Sequence, residues 1–252
     1  GFGITVGFHR LFTHGSFKAS PFVLWTLGIL GSMAIEGPVV WWVATHRRHH
    51  RHSDAEDDPH SPHAGRKSGF TGAVLACLHA HVGWTFRESC TDTDMRRYAP
   101  DLLRDPRVMV IHRFFPLWVA TGLILPAVIG AWVEPGWRGA FLGFLWGGLV
   151  RVFMVHHVTW SVNSACHLWG SQDHETGDES RNNMLFGFLA LGEGWHNNHH
   201  AFPASARHGL KWWQLDLSWY FIRVLALLGL ARNLKTASSP NQASAGIIDA
   251  RF

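Results

Sequence analysis

The chain has 252 residues, 22 Lys and Arg against 18 Asp and Glu, a net charge of +4, and a 47% hydrophobic share. That length suits one sizeable domain or two small ones, and the slight basic excess forms no stripe or module that would bind nucleic acid. Three cysteines, Cys77, Cys90 and Cys166, have no CxxC spacing, which argues for a reducing compartment and against a disulfide framework, a zinc ribbon or an iron–sulfur site.

Residues 1–18 (GFGITVGFHRLFTHGSFK) are an apolar tail running into a polar motif, without an initiating Met or a basic leader, as in an N-terminally truncated chain. Residues 21–44 are apolar but interrupted by Glu36-Gly37-Pro38. Residues 45–69 are polar, and 70–86 suit an amphipathic, interfacial helix. After a charged stretch, Phe114–Val133 is a run of 20 uncharged residues, and Trp137–Trp160 is a second long run holding only Arg138 and Arg151. A bilayer needs about 20 apolar residues per helix, so 114–160 is expected to be a transmembrane hairpin turning at Glu134-Pro135-Gly136. Residues 161–210 are polar, 212–231 suit another interfacial helix, and 233–252 read as a disordered tail. The catalytic domain is expected over 1–232.

Nineteen His and fourteen Trp are unusual usage. Histidine is the commonest metal ligand, and Trp concentrates at membrane interfaces. Three clusters stand out: His9-R-L-F-T-His14, His46-R-R-His49-His50 and His196-N-N-His199-His200. Residues i, i+3 and i+4 share a helix face, so each HxxHH presents three imidazoles together. His9 and His14 would stand about 140° apart on a straight α-helix, so they must approach from different directions or sit where the helix is broken. Such numbers of buried imidazoles offer little packing and repel when protonated, and a metal site accounts for them. Imidazole suits Zn, Cu, Fe and Ni alike, so spacing does not name the metal.

If the clusters build one site, they share one side of the membrane. The hairpin returns the chain to its starting side, but 21–44, at about 36 Å, would put two clusters on opposite sides if it crossed. It is therefore expected to lie in the interface or to dip in and back at Gly37-Pro38. The site side carries Arg10, Lys18, Arg47, Arg48, Arg51, Arg66, Lys67, Arg96, Arg97 and Lys211, whereas the opposite turn offers Arg138. The positive-inside rule then faces the site to the cytoplasm. The expected fold is all-α: an integral membrane helical protein with a cytosolic helical cap over the histidine-rich site.

The order HxxxxH, HxxHH, HxxHH resembles that of the membrane fatty acid desaturases. The flanks are closer still to the Δ9 (stearoyl-CoA desaturase-like) branch: G-x-T-x-G-x-His9-R-L-F-T-His14, Asp58-Pro59-His60, His81-Val82-Gly83-Trp84, Asn163-Ser164-Ala165-Cys166-His167-Leu168-Trp169-Gly170, and Gly192-Glu193-Gly194-Trp195-His196 through Pro203. The likeness covers roughly residues 1–230. It implies a bacterial type of enzyme in which His9, His14, His46, His49, His50, His167, His196, His199 and His200 ligate two ferrous ions, with Asn163 reaching one through water. Asp54 and Glu193, each beside a cluster, are candidates to hold ligands from behind, with His52 and His60 as further neighbours. Trp160 is a candidate wall of the substrate tunnel. His79, His81, His112, His156 and His157 are expected to pack or hydrogen-bond near the membrane face.

Breaking an unactivated C–H bond requires an oxidising metal and O2. The chain has no Rossmann or haem motif, so electrons are expected from a separate carrier such as ferredoxin or cytochrome b5. The stretch Glu36-Gly37-Pro38 and Ala44 lack the CoA contacts of animal acyl-CoA desaturases. A glycerolipid or acyl-carrier-protein substrate is therefore as well supported as acyl-CoA, with membrane lipids as the surroundings. A membrane di-iron hydroxylase and a His-rich metal transporter are the alternatives, the latter disfavoured by the uncharged run Phe114–Val133.

Overall fold

Residues 1–64, 69–87 and 90–237 are described in this computed structural model; Arg66, Lys67 and the 238–252 part of the expected tail lie outside them. The described residues are mostly helical, with one two-stranded sheet.

The first helix, α1 (Gly3–Thr13), is a π-helix. Its bonds run from each N–H to the carbonyl five residues back, and the last of these places His14 N 3.2 Å from His9 O. Residues five apart therefore stack on one face. The wide separation expected of His9 and His14 on an α-helix disappears, and their rings lie 4.9 Å apart.

Helix α2 (Pro21–Ser32) starts from a Ser20 cap with Pro21 in its first turn. It runs antiparallel to α1, with Gly3 against Gly31 and Gly7 against Leu27. A Cβ at Gly3 would collide with the backbone of Leu30 and Gly31, so this close approach needs glycine. The chain then turns through residues 33–38, where Ile35 and Gly37 hold φ of 64° and 108°, into α3 (Val39–His52). Helix α3 runs parallel to α1: the Phe8 and Trp42 rings lie 5.8 Å apart, and Arg47 at the far end donates to the carbonyls of Thr13 and Phe12 at 3.0 Å. The region 21–44 is thus a helical hairpin that leaves the His14 end and returns to it.

Three short helices, α5 (Asp92–Tyr98), α6 (Pro100–Arg104) and α7 (Pro106–Arg113), follow α4 (Gly69–His81) and a 3-10 turn at Gly83–Phe86. Arg47 ties the first two of them to α1: besides Phe12 and Thr13, it donates to Tyr98 O at 3.0 Å and pairs with Asp101 at 2.6 Å. Arg47→Ala leaves three backbone carbonyls without this donor. It is expected to cost about 2–4 kcal/mol at roughly 1 kcal/mol or more per buried group, read as a lower unfolding midpoint in detergent.

Among the described residues, two helices are long and apolar enough to cross a membrane: α8 (Phe115–Val133) and α9 (Trp137–His167). Few of their residues are fully buried, unlike those of the core helix of a soluble domain. They pack antiparallel through Gly130, Gly139 and Gly143, which bring the two backbones into contact. Residues Gly143–Val150 of α9 form a second π-helical stretch. Arg151, just beyond it, donates to Gly147 O at 2.7 Å and to Met33 O and Gly122 O at 3.0 Å, while His156 Nε2 donates to Ala34 O at 2.8 Å. These bonds fasten the 33–38 turn to the middle of both long helices. The hairpin and the spans therefore run side by side.

Two further short helices, α10 (Met184–Leu189) and α11 (His196–Ala201), precede α12 (Leu217–Leu227). Helix α12 starts later than expected because the Asp216 side chain accepts from Trp219 N and sets the N-cap there. Strands β1 (Lys18–Ala19) and β2 (Ala231–Arg232) pair antiparallel. Where a disordered tail was expected from 233, the backbone stays bonded, with Lys235 N on Ser16 O at 2.9 Å and Ala206 N on Lys235 O at 2.8 Å.

Candidate metal centre

The nine histidines singled out in the sequence converge in two groups. His9, His14, His46, His50 and His199 form one, and His49, His167, His196 and His200 form the other, each with its ring nitrogens within 4.8 Å of one another. Helical spacing explains the division. On α3, His46 and His50 stand one turn apart and face the five-membered group, while His49 points to the four-membered one. On α11 the roles reverse: His196 and His200 share the four-membered group, and His199 reaches the other. Each HxxHH therefore serves both groups. His14, five residues after His9, joins the first group only because α1 is a π-helix. His167 ends α9 in a 3-10 turn.

The Nε2 atoms face one another closely: His9–His199 at 3.1 Å, His46–His50 at 3.1 Å, His50–His199 at 2.9 Å and His167–His196 at 3.0 Å. Four Nδ1 atoms point outward to carboxylates: His9 to Glu193 at 2.5 Å, His49 to Asp58 at 2.9 Å, His167 to Asp54 at 3.0 Å and His200 to Asp178 at 2.6 Å. A neutral imidazole that donates Nδ1–H keeps a bare lone pair on Nε2. The buried Nε2 atoms of His14, His49 and His200 have no hydrogen-bond partner at all. Lone pairs converging in a dry interior are costly unless a cation accepts them.

Burial holds the His14, His46, His50, His196 and His199 imidazoles well below their ordinary pKa, and His200 at about 4, so they stay neutral. Burial also lowers His49, but Asp58 more than offsets it and the net direction is up. Burial alone would raise Asp54, Asp58 and Asp178; the imidazoles of His167, His49 and His200 instead keep each well below the usual carboxylate range. Glu193 is held down likewise by His9, Arg10 and His208. Four anionic carboxylates thus stand behind the two groups, and their four negative charges match two divalent cations. The donor set and its charge fit a pair of metal ions.

Asp54 and Glu193 do stand behind histidines, but not those beside them in sequence: Asp54 serves His167, and Glu193 serves His9. Asp58 and Asp178 were not singled out. Asp58 lies in the Asp58-Pro59-His60 motif, but Asp178 sits in an irregular loop whose sequence gives no signal. His208 was also missed; its ring lies 4.4 Å from that of His199, and it contacts Glu193 at 3.3 Å. Arg10, fully buried, bridges Glu193 and Asp216 at 3.0 Å each. Asn197 and Asn198 pin α11 from behind: the Asn197 carbonyl accepts from Asp173 N and His174 N, and Asn198 Nδ2 donates to His208 O and Gln214 Oε1. His60 lies 4.4 Å from His49, ring to ring, whereas His52 turns away to the Tyr98 hydroxyl at 3.3 Å. His81 pairs with His157 at 2.9 Å and His112 accepts from Val40 N at 3.4 Å, outside both groups.

A cavity of about 190 Å³ begins at the histidines, with His9, His46, His196 and Asn163 in its wall, and continues between α1, α3 and α9. Trp160 lines it, as do Trp41, Trp42 and Trp84. Trp42, in the same wall, stacks on His46 at 5.1 Å. The arrangement brings a mostly apolar slot up to imidazoles grouped closely enough to hold metal.

A family model of fatty acid desaturases matches residues 1–230. The chain is 43% identical over 234 residues to the hex-5-enoyl-acyl-carrier-protein acetylenase of Moorena producens (strain JHB), covering 92% of this chain and 72% of that protein. It is 40% identical over 238 residues to the sn-1 stearoyl-lipid 9-desaturase of Anabaena variabilis, covering 94% and 80%. Against the acyl-CoA C20 Delta5-desaturase of Anemone leveillei the identity is 39% over 239 residues, covering 94% and 70%. The chain therefore belongs to the fatty acid desaturase family, among its Δ9-type members, and is an oxidoreductase acting on acyl chains.

Proposed function

We propose that this chain inserts a cis double bond at the Δ9 position of a saturated chain carried on a membrane glycerolipid. The reading rests on one observation above all: an apolar slot that ends on two groups of histidines sized and charged for two divalent metals. The stearoyl-lipid 9-desaturase relative supports the position and the carrier. Histidines 9, 14, 46, 50 and 199 would hold one ferrous ion, and 49, 167, 196 and 200 the other, with Asn163 reaching one of them through water. When bound, the metal pair supplies the oxidising power: two C–H hydrogens, O2, two electrons and two protons become an alkene and two waters. The two electrons come from a separate carrier of the ferredoxin or cytochrome b5 kind, in keeping with a sequence that carries no Rossmann or haem motif. Helices α8 and α9 span the bilayer with the histidines on its cytoplasmic side.

The protein's own residues do three things here. The slot walls, including Trp42 and Trp160, fix which methylenes lie beneath the histidines and exclude water. Asp54, Asp58, Asp178 and Glu193 lock the imidazole tautomers so that Nε2 faces inward. Asn197 and Asn198 set the position of α11. Asp58→Asn, which can donate to His49 Nδ1 and so favours the wrong tautomer, is expected to weaken metal binding about 10–100-fold, measured by metal titration of the purified protein. For the reaction itself, the test is gas chromatography–mass spectrometry of lipids from cells expressing the full-length enzyme with an electron donor. A new 9-ene on the glycerolipid fraction is expected; a hydroxylated chain, or an unchanged profile, counts against the reading.

A further inference from the structure

One buried histidine outside the nine lies against them. His208, 1% exposed, sits in the irregular stretch between α11 and α12 and is held by its backbone at both ends. Its N–H donates to Asp216 Oδ2 at 2.7 Å, and its carbonyl accepts from Asn198 Nδ2 at 2.8 Å. The ring lies 4.4 Å from that of His199 and 5.5 Å from that of His9, whose Nε2 atoms face each other in the five-membered group. Burial lowers the His14 and His199 imidazoles most. Among neighbouring groups, His208 comes next for His199 and follows only His9 for His14. It therefore stands at the edge of the group, beside three of its five members.

His208 Nδ1 meets Arg10 Nη2 at 3.2 Å. A guanidinium only donates, so Nδ1 accepts and the ring's one proton sits on Nε2. That nitrogen is buried and has no hydrogen-bond partner. The adjacent rings offer it no lone pair: His199 is stacked on it at 36°, and the two nitrogens of His9 are turned to Glu193 and His199. A buried donor left unmade costs about 1–3 kcal/mol, which a small acceptor beside it would recover. His208 is not there to hold a third ion. His9, Glu193 and His208 are close enough for one, but Arg10, 3.0 Å from Glu193 and 3.2 Å from His208, already places a positive charge among them. Five imidazoles also fall one short of an octahedral set, so the five-membered group has a place for one small ligand.

We propose that the Nε2–H of His208 donates a hydrogen bond to a small ligand, a water or a monovalent anion, taken up at the five-membered group, and that His208 is a positioning residue for that ligand. The role exists only where the histidines hold metal and so rests on that reading, but it adds a residue outside the nine ligands and the four carboxylates.

The test is azide titration of the oxidised, iron-loaded, full-length enzyme, followed by the azide-to-iron absorption band. His208→Phe keeps a ring and removes the N–H, while Arg10 retains Ala206 O, Glu193 and Asp216 as acceptors. The variant is expected to hold as much iron as the wild type and to bind azide about tenfold less tightly, as for a lost hydrogen bond to an ion. His208→Leu, with a different shape, gives the same loss and is read in its place if the Phe variant does not fold. His208→Gln, whose Oε1 can accept from Arg10 while its Nε2 donates, stays within about threefold of the wild type. Equal azide affinity in the wild type and the apolar variants at equal iron content overturns the role of His208. So does a Gln variant as weak as the apolar ones, or an iron-loaded wild type that takes up no azide. Apolar variants that lose iron while the wild type keeps it also overturn it, since His208 would then support the fold of the site and not its small ligand. A wild type that binds no iron overturns the metal reading itself, and the role of His208 with it.

Discussion

His199→Ala is expected to abolish desaturation and to cut bound metal from two ions per chain toward one, without unfolding the protein. His199 sits where the five-membered group is densest: its Nε2 lies 3.1 Å from His9 Nε2 and 2.9 Å from His50 Nε2. Its Nδ1 has no hydrogen-bond partner, so no hydrogen bond outside the group is lost with it. The position of α11 is set instead by Asn197 and Asn198, whose amide bonds reach Asp173, His174, His208 and Gln214. Removing the imidazole should therefore open one metal position and leave the helix in place. The loss of activity should exceed the roughly 10–100-fold that follows removal of an outer hydrogen-bond partner. Metal analysis against protein concentration, beside a thermal unfolding curve, checks both halves. Two tightly held ions and unimpaired turnover in the variant would remove His199 from the site.

Histidine spacing made the groups themselves legible, because i, i+3 and i+4 on an α-helix leave few ways to arrange HxxHH. The division of each HxxHH between two groups was not legible, since it depends on how α3 and α11 cross. Nor was the π-helical α1. Nothing in G-I-T-V-G-F-H-R-L-F-T separates a five-residue repeat of bonds from a four-residue one until Gly3 and Gly7 are seen against α2. The hairpin at 33–38 was half visible. Requiring the clusters to share one side forced 21–44 either to lie flat or to turn back, and Glu36-Gly37-Pro38 marked where it would turn. The clamp that holds the turn, Arg151, looked in sequence like a lone charge in an apolar run. The carboxylates show the limit most clearly. Closeness in sequence suggested Asp54 and Glu193, but their partners are 113 and 184 residues away, and Asp178 came with no pattern at all.

Stripping both metals with a strong chelator is expected to lower the unfolding midpoint by more than about 10 °C, because the two groups are built around charge that the protein alone does not balance. Arg10 and Asp216 neutralise each other at 3.0 Å. Asp54, Asp58, Asp178 and Glu193 are then left as four buried or half-buried anions around a cluster in which burial keeps imidazoles such as His46, His196 and His199 neutral. Two divalent cations cancel that charge; without them the carboxylates or the imidazoles must take up protons in a poorly solvated interior. Structural metal sites contribute on the order of 10 kcal/mol to folding, and each kcal/mol moves the midpoint by about 2–4 °C in a chain of this size. Linkage adds a stricter requirement. The gap between the loaded and stripped midpoints reflects metal affinity at a given free metal concentration, so Asp58→Asn, weakened about 10–100-fold in binding, must narrow the gap by the matching 1.4–2.7 kcal/mol or so. It must do so whether the substitution destabilises the loaded form or relieves the stripped one, since Asp58 both fixes His49 and carries one of the four charges. Loaded and stripped proteins that melt together, in the wild type and in Asp58→Asn alike, would mean that the nine imidazoles do not bind metal as a folded site.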